Sequence, residues 1–165
     1  MTEFKLGDRR MRLYPDGKIT LRARCRGKET KQDKWTDVSF SDHNGYLRCS
    51  ITVDGIERMF LQHRLCHLAR NPGWDIFDTS PNNFIDHINH DTTDNSIENL
   101  RVVTCQQNQF NTNARGYSWV KQTNKWRSYI NVNGKRNHLG YFDKEEDAHA
   151  AYLEAKARLH VIPVS

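Results

Sequence analysis

Hydrophobic and polar residues alternate with a period of two over much of the first sixty positions, a pattern typical of strands with one buried face. Two hairpins are predicted from this alternation. The first spans residues 12–24 around a glycine-containing turn at 15–17, and the second spans residues 45–61 around Asp54-Gly55. The N-terminal part of the chain is therefore expected to be β-structure.

After the second hairpin, the spacing of the apolar residues changes to that of a helix. Within residues 62–70, Leu65, Leu68 and Ala69 share one side, and the sequence Asn-Pro-Gly at 71–73 is a helix stop signal. A short helix that ends near residue 70 is predicted.

The centre of the chain combines two short apolar strands with one helix. Residues 84–87 and 100–103 are the predicted strands, and the polar residues 89–99 form the loop between them. Thr104 and Gln107 have the spacing of a capping box, so a helix is expected to begin at Thr104. Strand, loop, strand and helix in this order predict a compact ββα unit.

A second β-rich segment closes the chain. Its strands are predicted at residues 117–121, 125–132 and 136–141, with turns at 123–124 and at Asn133-Gly134. Asp143 and Glu146 have capping-box spacing at the start of a final helix. The inward stripe of that helix is expected to consist of Ala148, Ala151, Tyr152, Ala155 and Leu159.

These elements predict an α+β fold. N-terminal β-hairpins lead into the ββα unit, and a three-stranded antiparallel sheet packed on one helix follows.

Charged residues are distributed in three blocks. Residues 1–35 hold eleven Lys or Arg against five Asp or Glu, and residues 115–142 hold six Lys or Arg and no acid. Between them, residues 71–100 hold six acids and no Lys or Arg. Basic flanks can neutralise phosphates, whereas the acidic centre would repel DNA unless a cation were bound there. A single block is usually a solvated surface, but three alternating blocks favour a polyanionic substrate and a divalent metal.

Several classes of protein are disfavoured by the sequence. No apolar run is long enough to span a membrane, and the first five residues lack the apolar segment of a signal peptide. A cytoplasmic location without membrane partners is expected. The four cysteines are scattered without a Cys-x-x-Cys pair, which argues against a disulfide framework and against a structural zinc ion.

Asp86-His87, at the end of the first central strand, is the candidate active site. Mg²⁺ prefers carboxylate and amide oxygens together with water, and Asp86 and Asn108 offer these two groups. Neutral His87 can take a proton from an attacking water molecule. Asn99, just before the second strand, can clamp the loop and hold the backbone of the histidine. The dipeptide taken alone is common and also fits a surface turn.

The spacing of these four residues resembles the motif of HNH endonucleases. Asn99 follows His87 by twelve positions, and Asn108 follows Asn99 by nine. The likeness is strongest to the branch found in phage homing endonucleases, which has Asn in the third motif position. It is carried by residues 85–89 (IDHIN), 94–95 (DN), 98–104 (ENLRVVT) and 107–108 (QN), with a lead-in at 62–65 (QHRL) and 71–72 (NP).

The resemblance implies a single Mg²⁺ or Mn²⁺ ion per active site, held by Asp86 and Asn108 against the scissile phosphate. His87 would be the general base, and Asn99 would hold it in orientation. The ion would stabilise negative charge on the phosphate and on the departing 3′ oxygen.

Other histidines near the motif are weaker candidates. His90 stands where the family pattern usually has Gly, so it could alter the turn of the loop or add a supporting contact to DNA or to the metal. His63 and His67 have an i, i+4 spacing that can bind zinc, but Arg64 replaces the Glu of a His-Glu-x-x-His motif. A structural role is therefore expected for both.

The final sheet is expected to present one basic, hydrogen-bonding face. Alternation along the middle strand turns Trp126, Ser128 and Ile130 toward the helix. The outer face would then carry the candidate DNA-binding residues Lys121, Arg127, Tyr129, Asn131, Arg136 and His138. A β-sheet can read the major groove with such a face, and an ordinary solvated face is the alternative.

This segment resembles the apetala/ethylene-response-factor DNA-binding domain, which is also found fused to phage HNH nucleases. The likeness rests on residues 116–117 (GY), 125–126 (KW), 134–136 (GKR), 139–142 (LGYF), 145–148 (EEDA) and 151–152 (AY). Several residues at the DNA-contacting positions differ from those usual in the family, so no base preference is implied.

Three segments follow from these interpretations. They are an N-terminal β-rich, DNA-contacting region at 1–55, an HNH nuclease domain at 56–114 and the DNA-binding domain at 115–165. The expected function is a metal-dependent endonuclease acting on double-stranded DNA, encoded by a phage or mobile element in a bacterial host. The sequence leaves the oligomeric state open and slightly favours a monomer. The alternatives are a DNA-binding regulator with an inactive HNH scaffold and, less favoured, a structural zinc protein.

Overall fold

The computed structural model of the 165-residue chain describes residues 1–25, 28–29 and 34–162. Residues 26–27 and 30–33 of the predicted N-terminal region lie outside this description. The strands are β1 (Thr2–Leu6), β2 (Arg9–Leu13), β3 (Ile19–Arg22), β4 (Arg24–Cys25), β5 (Lys28–Glu29), β6 (Trp35–Asp37), β7 (Ser41–His43), β8 (Tyr46–Val53), β9 (Ile56–Leu61), β10 (Phe84–His87), β11 (Leu100–Val103), β12 (Tyr117–Val120), β13 (Lys125–Val132) and β14 (Lys135–Phe142). The helices are α1 (Gln62–Arg70), α2 (Cys105–Phe110) and α3 (Glu145–Leu159), and one 3₁₀ turn covers Ile97–Asn99.

Small antiparallel sheets and short helices make up the described chain, which is compatible with the predicted α+β class. The chain divides into two compact units, residues 1–102 and residues 103–165. The three segments predicted from the sequence, with boundaries after residues 55 and 114, are defined by their expected roles rather than by compactness. This division stays a prediction.

Three sheets build the described N-terminal part of the first unit. Their orders are β1-β2-β3-β6, β4-β5 and β7-β8-β9, so both predicted hairpins are confirmed as β2-β3 and β8-β9. Asp54 and Gly55 both have positive φ angles, +50° and +79°, as the two-residue turn of a right-twisted hairpin requires. The strands β1, β6 and β7 extend the two hairpins beyond what the alternation predicts.

The turn after β1 packs directly against the turn after β8. A Cβ on Gly7 would lie 2.5 Å from the side chains of Val53 and Asp54, and the φ of Gly7 is +54°. The Asp8 carboxylate accepts a hydrogen bond from the backbone N–H of Asp54 at 2.7 Å, and the Asp54 carboxylate accepts one from the backbone N–H of Asp8 at 3.1 Å. Glycine is therefore required at position 7, because this approach leaves no room for a side chain.

One hydrophobic core serves the whole first unit. Helix α1 has the predicted bounds and buries Leu65, Leu68 and Ala69 in that core. Ile85 of β10 and Leu100 of β11 join it, which fixes the central hairpin against the N-terminal sheets. The remaining buried members are Phe4, Leu6, Met11, Leu13, Ile19, Cys49, Ile51, Val53, Phe60, Cys66 and Ile76.

The second unit has its own small core. The sheet β12-β13-β14 packs on α3 through Ile130, Tyr152 and Ala155. Gly116 lies over the Tyr152 ring, and a Cβ there would be 2.0 Å from a ring carbon. Glycine at position 116 thus lets the start of the sheet lie flat on the helix.

Three details of the second unit correct the sequence predictions. The N-cap of α3 is Lys144, which makes no side-chain capping bond, and the Asp143 carboxylate lies 3.2 Å from Lys125 Nζ. Leu159, predicted to face inward, is 39 % exposed at the last residue of the helix. Lys121 lies in the turn after β12, since that strand ends at Val120.

Candidate functional site

The hairpin β10-β11 holds Asp86 in a buried ion pair. Only 5 % of Asp86 is exposed, and its Oδ2 accepts hydrogen bonds from Arg101 Nε at 2.9 Å and from Arg101 Nη2 at 2.7 Å. Two charge-assisted bonds to one carboxylate are strong and directional. Arg101 therefore compensates the charge of Asp86 and fixes the orientation of its carboxylate.

His87 is also 5 % exposed, and its ring lies among aromatic rings and amides. The His63 ring stands nearly perpendicular to it, at 83° with the centroids 5.0 Å apart, and the Tyr46 ring lies 6.1 Å away. His87 Nε2 is 3.1 Å from Asn95 Oδ1. The ring plane is thus defined by packing, and one ring nitrogen is engaged by an amide oxygen.

The ring of His63 packs beside His87 and is uncharged. Burial lowers the pKa of His63 to about 3, and repulsion from His87 and Arg64 acts in the same direction. His63 therefore carries no charge near neutral pH. Its helix neighbour His67 packs elsewhere, with its ring 4.9 Å from the Trp74 ring, and burial lowers the pKa of His67 as well.

Asn99 clamps the loop that follows His87. Its Oδ1 accepts the backbone N–H of Asn89 at 2.9 Å, and its Nδ2 donates to the carbonyl of Asp94 at 2.8 Å. The Asn99 carbonyl accepts the N–H of Ile88 at 2.9 Å. The side chain is 6 % exposed, so these bonds are shielded from water. These bonds tie Ile88, Asn89 and Asp94 to one residue, and the role of Asn99 in orienting His87 stays a prediction.

The loop between these bonds is built from short local turns. Hydrogen bonds from Thr93 lower the pKa of Asp91, and hydrogen bonds from Ser96 lower that of Asp94. His90 donates its backbone N–H to the His87 carbonyl at 3.1 Å and has a φ of +65°. Glycine adopts this left-handed region without strain, whereas the β-carbon of His90 is strained there.

Asn108 lies on α2, which belongs to the second unit. The predicted capping box is confirmed: Thr104 Oγ1 accepts the N–H of Gln107, and Gln107 Oε1 accepts the N–H of Thr104. Asn108, in the second turn, is half-buried and donates its backbone N–H to the Thr104 carbonyl. Because Asp86, His87 and Asn99 lie in the first unit, the joint binding of one ion by Asp86 and Asn108 stays a prediction.

The chemistry of the predicted donors fits a magnesium-like ion. Among the described residues, no three His, Cys, Asp or Glu side chains form a group that could hold a metal. Mg²⁺ is commonly bound by one or two carboxylates, with water and substrate phosphate completing its shell. A single carboxylate, Asp86, together with the amide of Asn108 is therefore a fitting donor set for Mg²⁺ or Mn²⁺, and a poor one for zinc.

A family model of HNH endonucleases matches residues 79–110. The match, called the HNH segment from here on, runs from the loop before β10 to the end of α2 and contains Asp86, His87, Asn99 and Asn108. It supports an HNH nuclease, and DNA is the substrate that such a nuclease domain implies. Comparison with curated proteins and with solved structures gave no match. In the described ranges, no helix combines the length and the apolar character needed to cross a membrane.

C-terminal to the HNH segment, the sheet brings most of the predicted DNA-binding residues together. Across β13-β14, Tyr129 is paired with His138 and Asn131 with Arg136. The Arg136 guanidinium lies 4.4 Å from the Tyr129 ring centroid, and that of Arg127 lies 5.7 Å from it. These five residues form one outer face, while Ser128 and Ile130 are buried beneath it. Lys121 lies in the turn rather than on a strand of this face.

Sequence reasoning missed the partners of the key side chains. Arg101, Asn95 and Gln62 all stand in the stretches that carry the resemblance, yet no role was assigned to them. Gln62 Oε1 accepts a hydrogen bond from Asn95 Nδ2 at 3.1 Å, and Asn95 in turn contacts His87. Their presence in the motif was the one signal that could have found them.

Proposed function

We propose that the protein is a metal-dependent endonuclease of the HNH type that hydrolyses phosphodiester bonds of double-stranded DNA. The observation that carries this proposal is the family match over residues 79–110, which includes all four predicted motif residues. We further propose that it belongs to the homing-endonuclease-like branch encoded by phages or mobile elements, because Asn108 occupies the third motif position.

In the proposed reaction, His87 takes a proton from a water molecule as the water oxygen bonds to phosphorus. The bond from phosphorus to the 3′ oxygen breaks, and the leaving oxygen receives a proton from solvent. Asp86 and Asn108 would hold one Mg²⁺ or Mn²⁺, which supplies electrostatic stabilisation of the phosphate when bound. Asn99 keeps the loop after His87 in place, and Arg101 orients the Asp86 carboxylate.

The outer sheet face is proposed to bind the duplex, in the manner of the apetala/ethylene-response-factor domain that residues 115–165 resemble. Arg127 and Arg136 would neutralise phosphates, and Tyr129, Asn131 and His138 offer hydrogen-bonding groups for base edges. No acid occurs between residues 115 and 142, which supports contact with a polyanion. Residues 1–55, with their excess of Lys and Arg, are proposed to contact DNA as well.

Cleavage of supercoiled plasmid in the presence of Mg²⁺ or Mn²⁺ tests the proposal. The full chain should convert the plasmid to nicked or linear forms, and EDTA, Asp86→Ala and His87→Ala should each abolish conversion. His149→Ala, at an exposed position on α3 and outside the residues assigned to DNA or metal, is the matched control and should retain full cleavage. Intact plasmid across metals and phage-genome substrates would contradict an enzyme.

The alternative function is a DNA-binding regulator whose HNH segment is a scaffold. The Arg101–Asp86 ion pair favours this function, because Arg101 already compensates the charge of the Asp86 carboxylate. Binding of duplex DNA that survives EDTA, together with no cleavage under any condition above, would favour this second function.

A further inference from the structure

A relay of side-chain amides connects His87 to the N-terminal hairpin. Gln62 Nε2 lies 3.1 Å from the carbonyl oxygen of Gly17, and Asn95 Nδ2 lies 3.1 Å from Gln62 Oε1. Asn95 Oδ1 in turn lies 3.1 Å from His87 Nε2. Gly17 is in the turn between β2 and β3, with a φ of +83°. The relay therefore begins on the backbone of a segment in which the sequence shows no catalytic motif.

The direction of every hydrogen bond in this relay is fixed by its first member. A backbone carbonyl can only accept, so the group of Gln62 that faces Gly17 is its NH₂. The Gln62 oxygen then faces Asn95 and accepts from the NH₂ of that residue, which turns the Asn95 oxygen toward His87. An amide oxygen has no proton to give, so His87 Nε2 is the donor. The neutral ring consequently bears its proton on Nε2 and its lone pair on Nδ1.

We propose that Asn95 and Gln62 are positioning residues that fix the ring tautomer and orientation of His87. This inference rests on the proposed function, in which His87 accepts a proton from water. A neutral histidine can carry its proton on either ring nitrogen, and only one of these two tautomers leaves the lone pair on the nitrogen that faces the attacking water. The relay holds His87 in one tautomer. The edge-on ring of His63 and the nearby ring of Tyr46 limit rotation of the ring plane.

Removing the amides while keeping their size tests the relay. Asn95→Leu takes away the acceptor for Nε2, and Gln62→Leu takes away the anchor one step earlier. Asn95→Asp is the conservative variant, because it keeps an oxygen that can accept from Nε2–H. Gln122→Leu, at an exposed turn position of the second unit, is the control for loss of an amide.

The first measurement is the ¹⁵N NMR spectrum of the His87 ring in the metal-free full chain, at a constant pH at which the ring is neutral. Wild-type protein, Asn95→Asp and Gln122→Leu should show one protonated nitrogen, Nε2, and one bare nitrogen, Nδ1. Asn95→Leu and Gln62→Leu should show averaged shifts typical of mixed tautomers. A wild-type-like spectrum in both Leu variants would overturn the relay, and Gln62→Leu still gives this test if Asn95→Leu does not fold.

The second measurement is plasmid cleavage, with kcat and KM determined separately. In Asn95→Leu, kcat should fall about 10- to 100-fold, the range typical of a lost positioning contact, while KM changes less than about 2-fold. Asn95→Asp should recover most of kcat. If both Leu variants retained the wild-type kcat, the positioning role of Asn95 and Gln62 would be overturned, but the proposed function would stand. A wild-type protein that cleaves nothing would overturn the proposed function, whatever the spectra show, and with it the catalytic purpose of the relay.

Discussion

Arg101 and Asp86 form a two-point ion pair across β10 and β11, with both donor nitrogens within 3 Å of one carboxylate oxygen. The side chains are 17 % and 6 % exposed, so each charge is largely removed from water. A buried charge that loses its partner is destabilising. The free energy of unfolding should therefore depend on the presence of both charges.

Arg101→Gln should lower the free energy of unfolding by about 3 kcal/mol, because it leaves the Asp86 carboxylate buried without its cation. Added Mn²⁺ should restore part of this loss if Asp86 binds the ion, since a cation would replace the guanidinium. Urea unfolding with Mn²⁺ and with EDTA measures both effects. Lys5→Gln, at an exposed position of β1, should change stability by less than about 0.5 kcal/mol. An Arg101→Gln protein as stable as wild type would show that the pair contributes nothing.

The lowered pKa of His63 predicts that the protein loses stability in mild acid. Its folded pKa of about 3 lies below the ordinary value of 6.5, so between these values the unfolded chain binds a proton that the folded chain does not. The free energy of unfolding should therefore fall as the pH drops through this window, by at most about 1.4 kcal/mol per pH unit for this residue.

His63→Phe should reduce that slope between pH 4.5 and 6.5, above the range in which Asp8, Asp91 and Asp94, whose pKa values are lowered, become protonated. A residual slope from His67 should remain, because burial lowers its pKa too. Urea unfolding at several pH values gives the slopes. His43→Phe is the exposed control, and an identical slope in His63→Phe and wild type would refute the assignment.

His90→Gly should raise the free energy of unfolding by about 1 kcal/mol. The backbone of His90 has a φ of +65°, where a side chain is strained and glycine is not. Thermal or urea unfolding of the variant measures the gain. Plasmid cleavage by the same variant decides whether the His90 imidazole contributes to cleavage. Unchanged kcat and KM would show that it does not.

Arg136→Ala should weaken binding of duplex DNA and reduce the slope of log K against log salt by about 1, the contribution of one phosphate contact. Fluorescence anisotropy at several salt concentrations measures both quantities. Arg158→Ala, at an exposed position near the end of α3, is the matched control. Equal salt slopes for Arg136→Ala and wild type would argue against contact between this face and phosphates.

The elements that local sequence rules describe were predictable. Asp54-Gly55 specifies its hairpin because both residues tolerate positive φ, and Thr104 with Gln107 satisfies the first N–H groups of α2. The predicted capping box of α3 is wrong: the N-cap is Lys144, and the Asp143 carboxylate lies beside Lys125. A rule that considers four consecutive residues does not include a charge on another strand.

The sequence names four residues as a candidate site, which stays a prediction, but it does not indicate the contacts of those residues. The spacing of His87 and Asn99 pointed to the loop clamp that the structure contains. The hydrogen bonds from Arg101 to Asp86 and from Asn95 to Gln62 join residues 15 and 33 positions apart. Such pairs depend on how strands and helices pack, and no local periodicity encodes them.

The core shared by Phe4, Ile51 and Ile85 bears on how this chain can recombine with relatives. A recombination point located between β1 and β10 would combine parts of the cores of two different proteins. The resulting protein would carry cavities or clashes where these parts meet. The sheet after residue 116 packs on Tyr152 in a separate core. Substitutions in the N-terminal hairpins should therefore be constrained by Ile85 and Leu100 of the hairpin β10-β11, whereas substitutions in the C-terminal sheet should be constrained by Ile130, Tyr152 and Ala155.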